Sequence, residues 1–105
     1  MSELADLQER IFKNKKEKGF NVSDIGTELL LITEELGEAV RAFRRENKTE
    51  LAEEIVDIII YCLGLLAILD VDASTAIQKK VEENEKRVYQ KVSEQGWGVV
   101  EDKGD

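Results

Sequence analysis

Residues 58–69 read IIIYCLGLLAIL, a run in which no side chain is charged. An acidic segment, residues 50–57, precedes it, and the whole chain contains no proline that would interrupt a helix. The pattern therefore predicts one long helix from about Glu50 to Leu69, whose second half is apolar on every face. Such a helix must be covered on all sides. We expect it to be central in the fold and to be partly covered by a second subunit.

Three further helices are predicted around this run. Their expected limits are Glu3 to Lys18, Asp24 to Glu46 and Ala73 to Glu94, with a short tail at residues 96–105. In the first two, apolar residues recur at steps of three and four, which is the period of an amphipathic helix. Ser23 or Asp24 is expected to cap the second helix, and Thr49 the third. The predicted fold class is all-α: a single-domain, four-helix antiparallel bundle-like module that is completed by oligomerisation.

Composition excludes several classes of function. The formal charge of −8 disfavours binding to a nucleic-acid polymer, which requires a basic surface. Without histidine, a Ser-His-Asp triad and an imidazole-ligated zinc site are excluded. The single cysteine, Cys62, is expected to be an inert core thiol. A polar N-terminus and an apolar run too short for a bilayer predict a soluble, cytoplasmic protein without membrane contact.

Two acidic pairs stand out on the central helices. Glu35 and Glu38 lie three residues apart on the second helix, and Glu54 and Asp57 have the same spacing on the third. Residues at this spacing project from one side of a helix, where like charges repel each other. The simplest alternative is a solvated acidic surface, since the chain has 23 acidic residues. Eight other glutamates are expected to be such solvated surface residues: Glu3, Glu9, Glu28, Glu50, Glu53, Glu82, Glu83 and Glu85.

Asp57 is the position at which a solvated surface is hardest to accept. It sits among isoleucines and Tyr61, so it is expected to be a buried charge, which is costly unless it is paired. A divalent cation removes that cost. Oxygen ligands from two helices suit Mg²⁺, which takes its remaining ligands from water and substrate phosphates. The four carboxylates therefore predict a magnesium site.

The fourth helix adds a positive group of residues. Asn84 falls in the register of the apolar residues Ile77 and Val81, with Lys80 four residues before it and Arg87 three after it. One interpretation is a buried asparagine that fixes helix register, flanked by two surface cations. Beside a metal site, the same three residues are better interpreted as a clamp for phosphates.

The motifs Glu34-Glu35-x-x-Glu38 and Glu54-x-x-Asp57 resemble the EExxE and ExxD signature of the MazG-like, all-α nucleotide pyrophosphohydrolases. The third block, Lys80-x3-Asn84-x2-Arg87, is similar to a block of that family. The resemblance implies hydrolysis of an NTP or dNTP to the monophosphate and pyrophosphate, by attack of a metal-activated water at the α-phosphorus. It also implies a homodimer or homotetramer.

The same resemblance implies which residues contact the metal, the phosphates and the base. Glu35, Glu38, Glu54 and Asp57 would hold Mg²⁺, with Mn²⁺ as a substitute, and Glu34 would support them or help position water. Lys80, Asn84 and Arg87 would hold the phosphates. The base would lie near the first helix and the loop after it, where the candidates are Gln8, Phe12, Asn14 and Phe20; Phe12 is equally compatible with a core position. The rival hypotheses are a non-catalytic helical dimer that binds nucleotide or metal, and an acidic helical protein whose carboxylates only solvate it.

Overall fold

A computed structural model describes the backbone of residues 2–93 and 96–102, and the side chains up to residue 87. The elements, in chain order, are α1 (Glu3–Glu17), α2 (Ile25–Arg44), α3 (Lys48–Ile68), α4 (Ala73–Lys86), β1 (Arg87–Ser93) and β2 (Gly96–Asp102). Four helices therefore form where four were predicted, and the all-α class is confirmed. A short strand pair follows the last helix and was not predicted.

The chain divides into two compact units, of which residues 1–73 are the first. In this unit both α2 and α1 pack against α3. Small residues are among the buried ones, namely Ala39 and Ala42 on α2 and Gly64 on α3, and Gly64 faces Ile11 and Lys15 of α1. The prediction that the third helix is central is thus correct within this unit.

Side-chain caps begin the three helices of the first unit. The hydroxyl of Ser2 accepts a hydrogen bond from the backbone N–H of Ala5, and Asp24 caps α2 as one of the two expected residues. The cap of α3 is Asn47, whose side-chain oxygen accepts from the N–H of Glu50 at 3.0 Å. Thr49 was the wrong choice because the helix begins one residue before it, at Lys48.

The same three helices end with a residue in the left-handed conformation. Gly19 has φ 72°, Glu46 has φ 58° and Asp70 has φ 60°. At each end the N–H groups of this residue and of the residue after it donate to carbonyls of the final turn, as when Asp70 donates to Ala67 and Val71 to Leu66. This closure satisfies carbonyls that the helix itself leaves without a partner.

The second unit, residues 74–105, contains α4 beyond its first residue and an antiparallel hairpin of β1 and β2. The predicted fourth helix was therefore too long. It ends at Lys86, and residues 87–93 form a strand that pairs with residues 96–102. The physical reason is that Val88, Tyr89 and Val92 are β-branched or aromatic and favour a strand once a partner strand is present. The predicted helix end, Glu94, and residues 103–105 of the tail lie outside the described residues.

Helix α3 leaves much apolar surface uncovered. Four apolar residues of the helix and the leucine that follows it are about half exposed: Ile55, Val56, Ile59, Ile60 and Leu69. Cys62 is exposed as well, so its prediction as a core thiol is wrong for the single chain. Among the described residues, no helix is both long enough and apolar enough to cross a bilayer.

Candidate functional site

Three of the four predicted metal ligands meet at the contact of α2 with α3. Glu35, Glu38 and Glu54 each place a carboxylate oxygen within 4.8 Å of the others. All three side chains are partly buried. We call these residues the carboxylate cluster. It forms because the i, i+3 pair on α2 lies on the helix face that packs against α3.

Two oxygens of the carboxylate cluster lack hydrogen-bond partners. They are the Oε2 atoms of Glu35 and Glu54, and both are inaccessible to water. A hydrogen bond with Glu35, burial, and the nearby Glu38 carboxylate together raise the pKa of Glu54 to about 7. Without a cation, the cluster therefore retains a proton near neutral pH, because three negative charges at this separation repel one another.

A divalent cation fits this donor set. Every donor is a carboxylate oxygen, which is the ligand type that Mg²⁺ and Mn²⁺ prefer. The two buried oxygens without partners are positions where a cation would replace missing hydrogen bonds. The cluster accordingly could hold a metal ion through Glu35, Glu38 and Glu54.

Asp57 differs from its prediction. It is exposed rather than buried, and it is not among the three residues whose oxygens converge. The argument that it would be a buried, unpaired charge is therefore wrong for the single chain, because the isoleucines beside it on α3 are themselves uncovered. One helical turn after Glu54, it remains a candidate fourth ligand by resemblance, and it lines two surface clefts.

The four candidate base-binding residues fall into two separate clefts. A cleft of about 690 Å³ between α1 and α3, here the α1–α3 cleft, is lined by Asn14 and Phe20 together with Asp57 and Tyr61. Gln8 and Phe12 line a different cleft of about 650 Å³. Only the first pair therefore shares a cleft with a residue of the acidic motifs.

Gln8 has a structural role that sequence reasoning missed. Its amide nitrogen donates to the carbonyls of Leu63, at 3.2 Å, and Val71, at 2.9 Å. Its side-chain oxygen accepts from the N–H of Ala73 at 2.9 Å. Because the side chain is buried and both of its amide donors are used, Gln8 is a poor candidate for contact with a base. It ties α1 to the connection between α3 and α4.

Glu34 and the three predicted phosphate-binding residues lie on three different elements. Glu34 is exposed on α2, and Lys80 and Asn84 are exposed on α4. Arg87 is the first residue of β1 and not part of α4, so the expected helical spacing from Asn84 to Arg87 does not hold. Lys80 lies 4.0 Å from Glu83 in an exposed ion pair. The phosphate clamp stays a prediction.

A buried ion pair lies in the first unit and was not predicted. Lys15 on α1 pairs with Glu28 on α2, although Glu28 was expected at the surface. Glu28 is fully buried, and its second oxygen accepts from the side-chain amide of Asn21 at 3.2 Å. The signal was present in the sequence: Lys15 follows Ile11 by four residues, and Glu28 precedes Ile32 by four, so each occupies an apolar register.

Comparison with known proteins identifies the family. A model of the MazG-like family matches residues 25–98, which is more than half of the chain and includes both acidic motifs. Helix α1 lies before the matched segment. No match was found among curated proteins or among solved structures. The chain therefore belongs to the MazG-like family.

Proposed function

We propose that the protein hydrolyses a nucleoside triphosphate, NTP or dNTP, to the monophosphate and pyrophosphate with the help of Mg²⁺. The observation that carries this proposal is the carboxylate cluster, whose buried oxygens lack partners. Membership of the MazG-like family suggests the same type of activity, a nucleotide pyrophosphohydrolase. Both point to a metal-assisted reaction on a phosphoric anhydride.

Each part of the proposed site has a chemical task. Glu35, Glu38 and Glu54 would hold the metal, and the exposed Asp57 one turn away would complete its ligands. Bound Mg²⁺ supplies positive charge to the phosphate oxygens and lowers the pKa of a water molecule. Glu34 is exposed beside the cluster and is proposed to help orient the attacking water.

The nucleotide is proposed to contact two further regions. Lys80, Asn84 and Arg87 carry the positive charge and the amide that would bind phosphates. The α1–α3 cleft would receive the base, because it is lined by the aromatic rings of Phe20 and Tyr61 and borders Asp57. A base in this cleft would lie on the same side of α3 as the last residue of the ExxD motif.

We also propose that the active species is a homodimer, or a homotetramer built from it. Helix α2 exposes an apolar stripe at heptad-like spacing, formed by Leu29, Leu36, Val40 and Phe43. Exposed isoleucines of α3 add to it. Contiguous apolar patches of this kind mark interaction surfaces on soluble proteins. A second copy of the chain is the partner that would cover both helices by symmetry.

The direct test is an assay of a panel of NTPs and dNTPs with Mg²⁺, in which pyrophosphate and orthophosphate are measured separately. Pyrophosphate as the first product, lost on addition of EDTA, supports the proposal. Orthophosphate as the first product would contradict it. If nucleotide binds but no product forms at micromolar protein, the non-catalytic binding module becomes the better description.

A further inference from the structure

We propose that Lys15, held in place by Glu28, selects nucleotides whose base carries an oxo group where the amino analogue carries an exocyclic amine (inosine rather than adenosine, uridine rather than cytidine), by donating a hydrogen bond to that oxygen in the α1–α3 cleft. This inference rests on the proposed function, because it assumes that the cleft receives the base. It adds the substrate class and a specificity-determining residue, and Lys15 lies outside the matched family segment.

The first observation is that Lys15 is buried but lines the cleft. Its side chain is 9% exposed, and that of its partner Glu28 is 0% exposed. The Lys15 Nζ atom also lies 5.9 Å from the ring centre of Tyr61, another residue of the α1–α3 cleft. The ammonium group is thus fixed at one wall of the cleft, in contrast to the exposed lysines along α1.

The second observation concerns hydrogen-bond donors. A lysine ammonium has three N–H donors, and among the described residues Lys15 uses one, to Glu28. Glu28 in turn is fully engaged, with one oxygen bound to Lys15 and the other to Asn21. Asn21 is itself held, because its side-chain oxygen accepts from the N–H of Asp24 at 2.9 Å. Two donors of an otherwise immobilised ammonium remain for an acceptor in the cleft.

The third observation is that α3 has a glycine, Gly64, where it contacts the side chain of Lys15. A Cβ atom at Gly64 would lie 3.3 Å from Cδ of Lys15 and 3.6 Å from a methyl carbon of Ile11. Glycine inside a helix is unfavourable relative to alanine, and a buried ion pair is often no more stable than an apolar replacement. Stability alone therefore does not account for Lys15, which favours a role in binding.

The chemistry of the pair indicates the kind of acceptor. Because Glu28 neutralises Lys15, the pair offers donors without net positive charge, and it lies beside the apolar Ile11. The other charged residues that line the cleft balance in sign: Arg10, Lys13, Glu17 and Asp57. That combination suits a neutral carbonyl oxygen rather than a phosphate. An exocyclic amino group at the same place would set donor against donor and leave the ammonium unpaired, a mismatch that discriminates strongly.

The test compares matched nucleotides that differ in an oxo or an amino group: ITP with ATP, and UTP with CTP. We expect kcat/KM to favour the oxo member of at least one pair by about tenfold or more. The double variant Lys15→Met/Glu28→Gln removes both charges without leaving either partner buried alone. It is expected to reduce this preference to less than about threefold. Lys18→Met, at the exposed lysine that ends the same helix and does not line the cleft, is the matched control and should retain it.

Equal kcat/KM for the two members of both pairs would overturn the inference, as would a preference that survives in the double variant. If the double variant does not fold, Gly64→Ala provides the test, since the added methyl group displaces the Lys15 stem and should lower the preference. Failure of the proposed function is distinguishable: no nucleotide would then be hydrolysed. Binding of inosine against adenosine, followed by ligand-observed NMR, would still decide the inference, and equal binding would refute it.

Discussion

Glu35 on α2 and Glu54 on α3 each place a carboxylate oxygen within 4.8 Å of the other, and hydrogen bonding to Glu35 is the largest cause of the raised pKa of Glu54. A hydrogen bond between two carboxyl groups requires a proton on one of them. One oxygen of each side chain (Oε2) is buried without a partner. The two residues thus form a site that holds a proton when it does not hold a cation, and its behaviour with pH and metal can be predicted.

In the absence of metal, this proton makes stability depend on pH. The pKa of Glu54 is about 7 in the folded protein and near its ordinary value, 4.5, in the unfolded chain. Between these values the folded state binds more protons, so the contribution of Glu54 to stability is full below about pH 4.5 and decreases as pH rises through 7. Urea denaturation at pH 5 and pH 8, with EDTA present, should show this decrease. The loss of stability between pH 5 and pH 8 should be smaller in Glu54→Gln. If this variant loses as much stability as the wild type, the proton does not belong to Glu54.

Magnesium should displace the proton. Metal binding requires deprotonated carboxylates, so affinity for Mg²⁺ should rise as pH increases from 6 to 8, and binding should release protons. Isothermal titration calorimetry at pH 6.5 in buffers of different ionisation enthalpy measures this release directly. Mg²⁺ should also raise the melting temperature more at pH 8 than at pH 6. Heats that do not depend on the buffer would show that the site is already deprotonated.

Removing one ligand should separate activity from folding. Glu38→Gln retains the size of the side chain but removes one negative charge, and we expect kcat/KM to fall by at least about 100-fold, because the metal contributes several kcal/mol to the reaction. The metal-free fold should be equally stable or more stable, since repulsion within the carboxylate cluster is reduced. Glu53→Gln is the control: Glu53 is exposed on the same turn of α3 as Glu54 and should keep near-normal activity.

Gln8 should be required for stability rather than for recognition. Gln8→Met retains length but leaves two backbone carbonyls and one N–H without their partner, which should cost about 2–4 kcal/mol of unfolding free energy. Gln78→Met is the matched control, because Gln78 is exposed on α4 and its amide donates to the hydroxyl of Ser74 at 3.3 Å. Its expected cost is below about 0.5 kcal/mol. A loss of activity without a loss of stability in Gln8→Met would instead indicate contact with the substrate.

The apolar stripe on α2 should control assembly. Phe43 is 69% exposed, and Phe43→Asp places a charge in the surface that a second copy is proposed to cover. We expect the variant to shift towards monomer in analytical ultracentrifugation, with loss of the dimer at low micromolar concentration. Lys13→Asp, at an exposed position on α1, should leave the distribution unchanged. A wild-type chain that is monomeric at every concentration would contradict the proposal.

Much of the fold could be predicted from local pattern. The helix at 48–68 follows from a stretch without proline whose second half carries no charge. Asp24 and Gly19 mark a helix start and a helix end through capping chemistry that acts within a few residues. The pairing of Glu35 with Glu38 on one face follows from the helical period. Residues 87–93 were misassigned because a strand forms only when a partner strand pairs with it, and local pattern does not reveal that partner.

Contacts between helices decided which charged residues are buried and paired, which the local sequence pattern could not predict. The spacing within each acidic motif is a property of one helix, but the meeting of Glu54 with Glu35, and the exposure of Asp57, depend on how α2 and α3 pack. Likewise, Lys15 and Glu28 are thirteen residues apart, and Glu28 was expected at the surface, whereas the packing of α1 and α2 buries and pairs the two. Sequence alone thus determined the helices and the chemical types at the site. Tertiary structure decided which charges are buried and paired, because burial and pairing are properties of several elements at once.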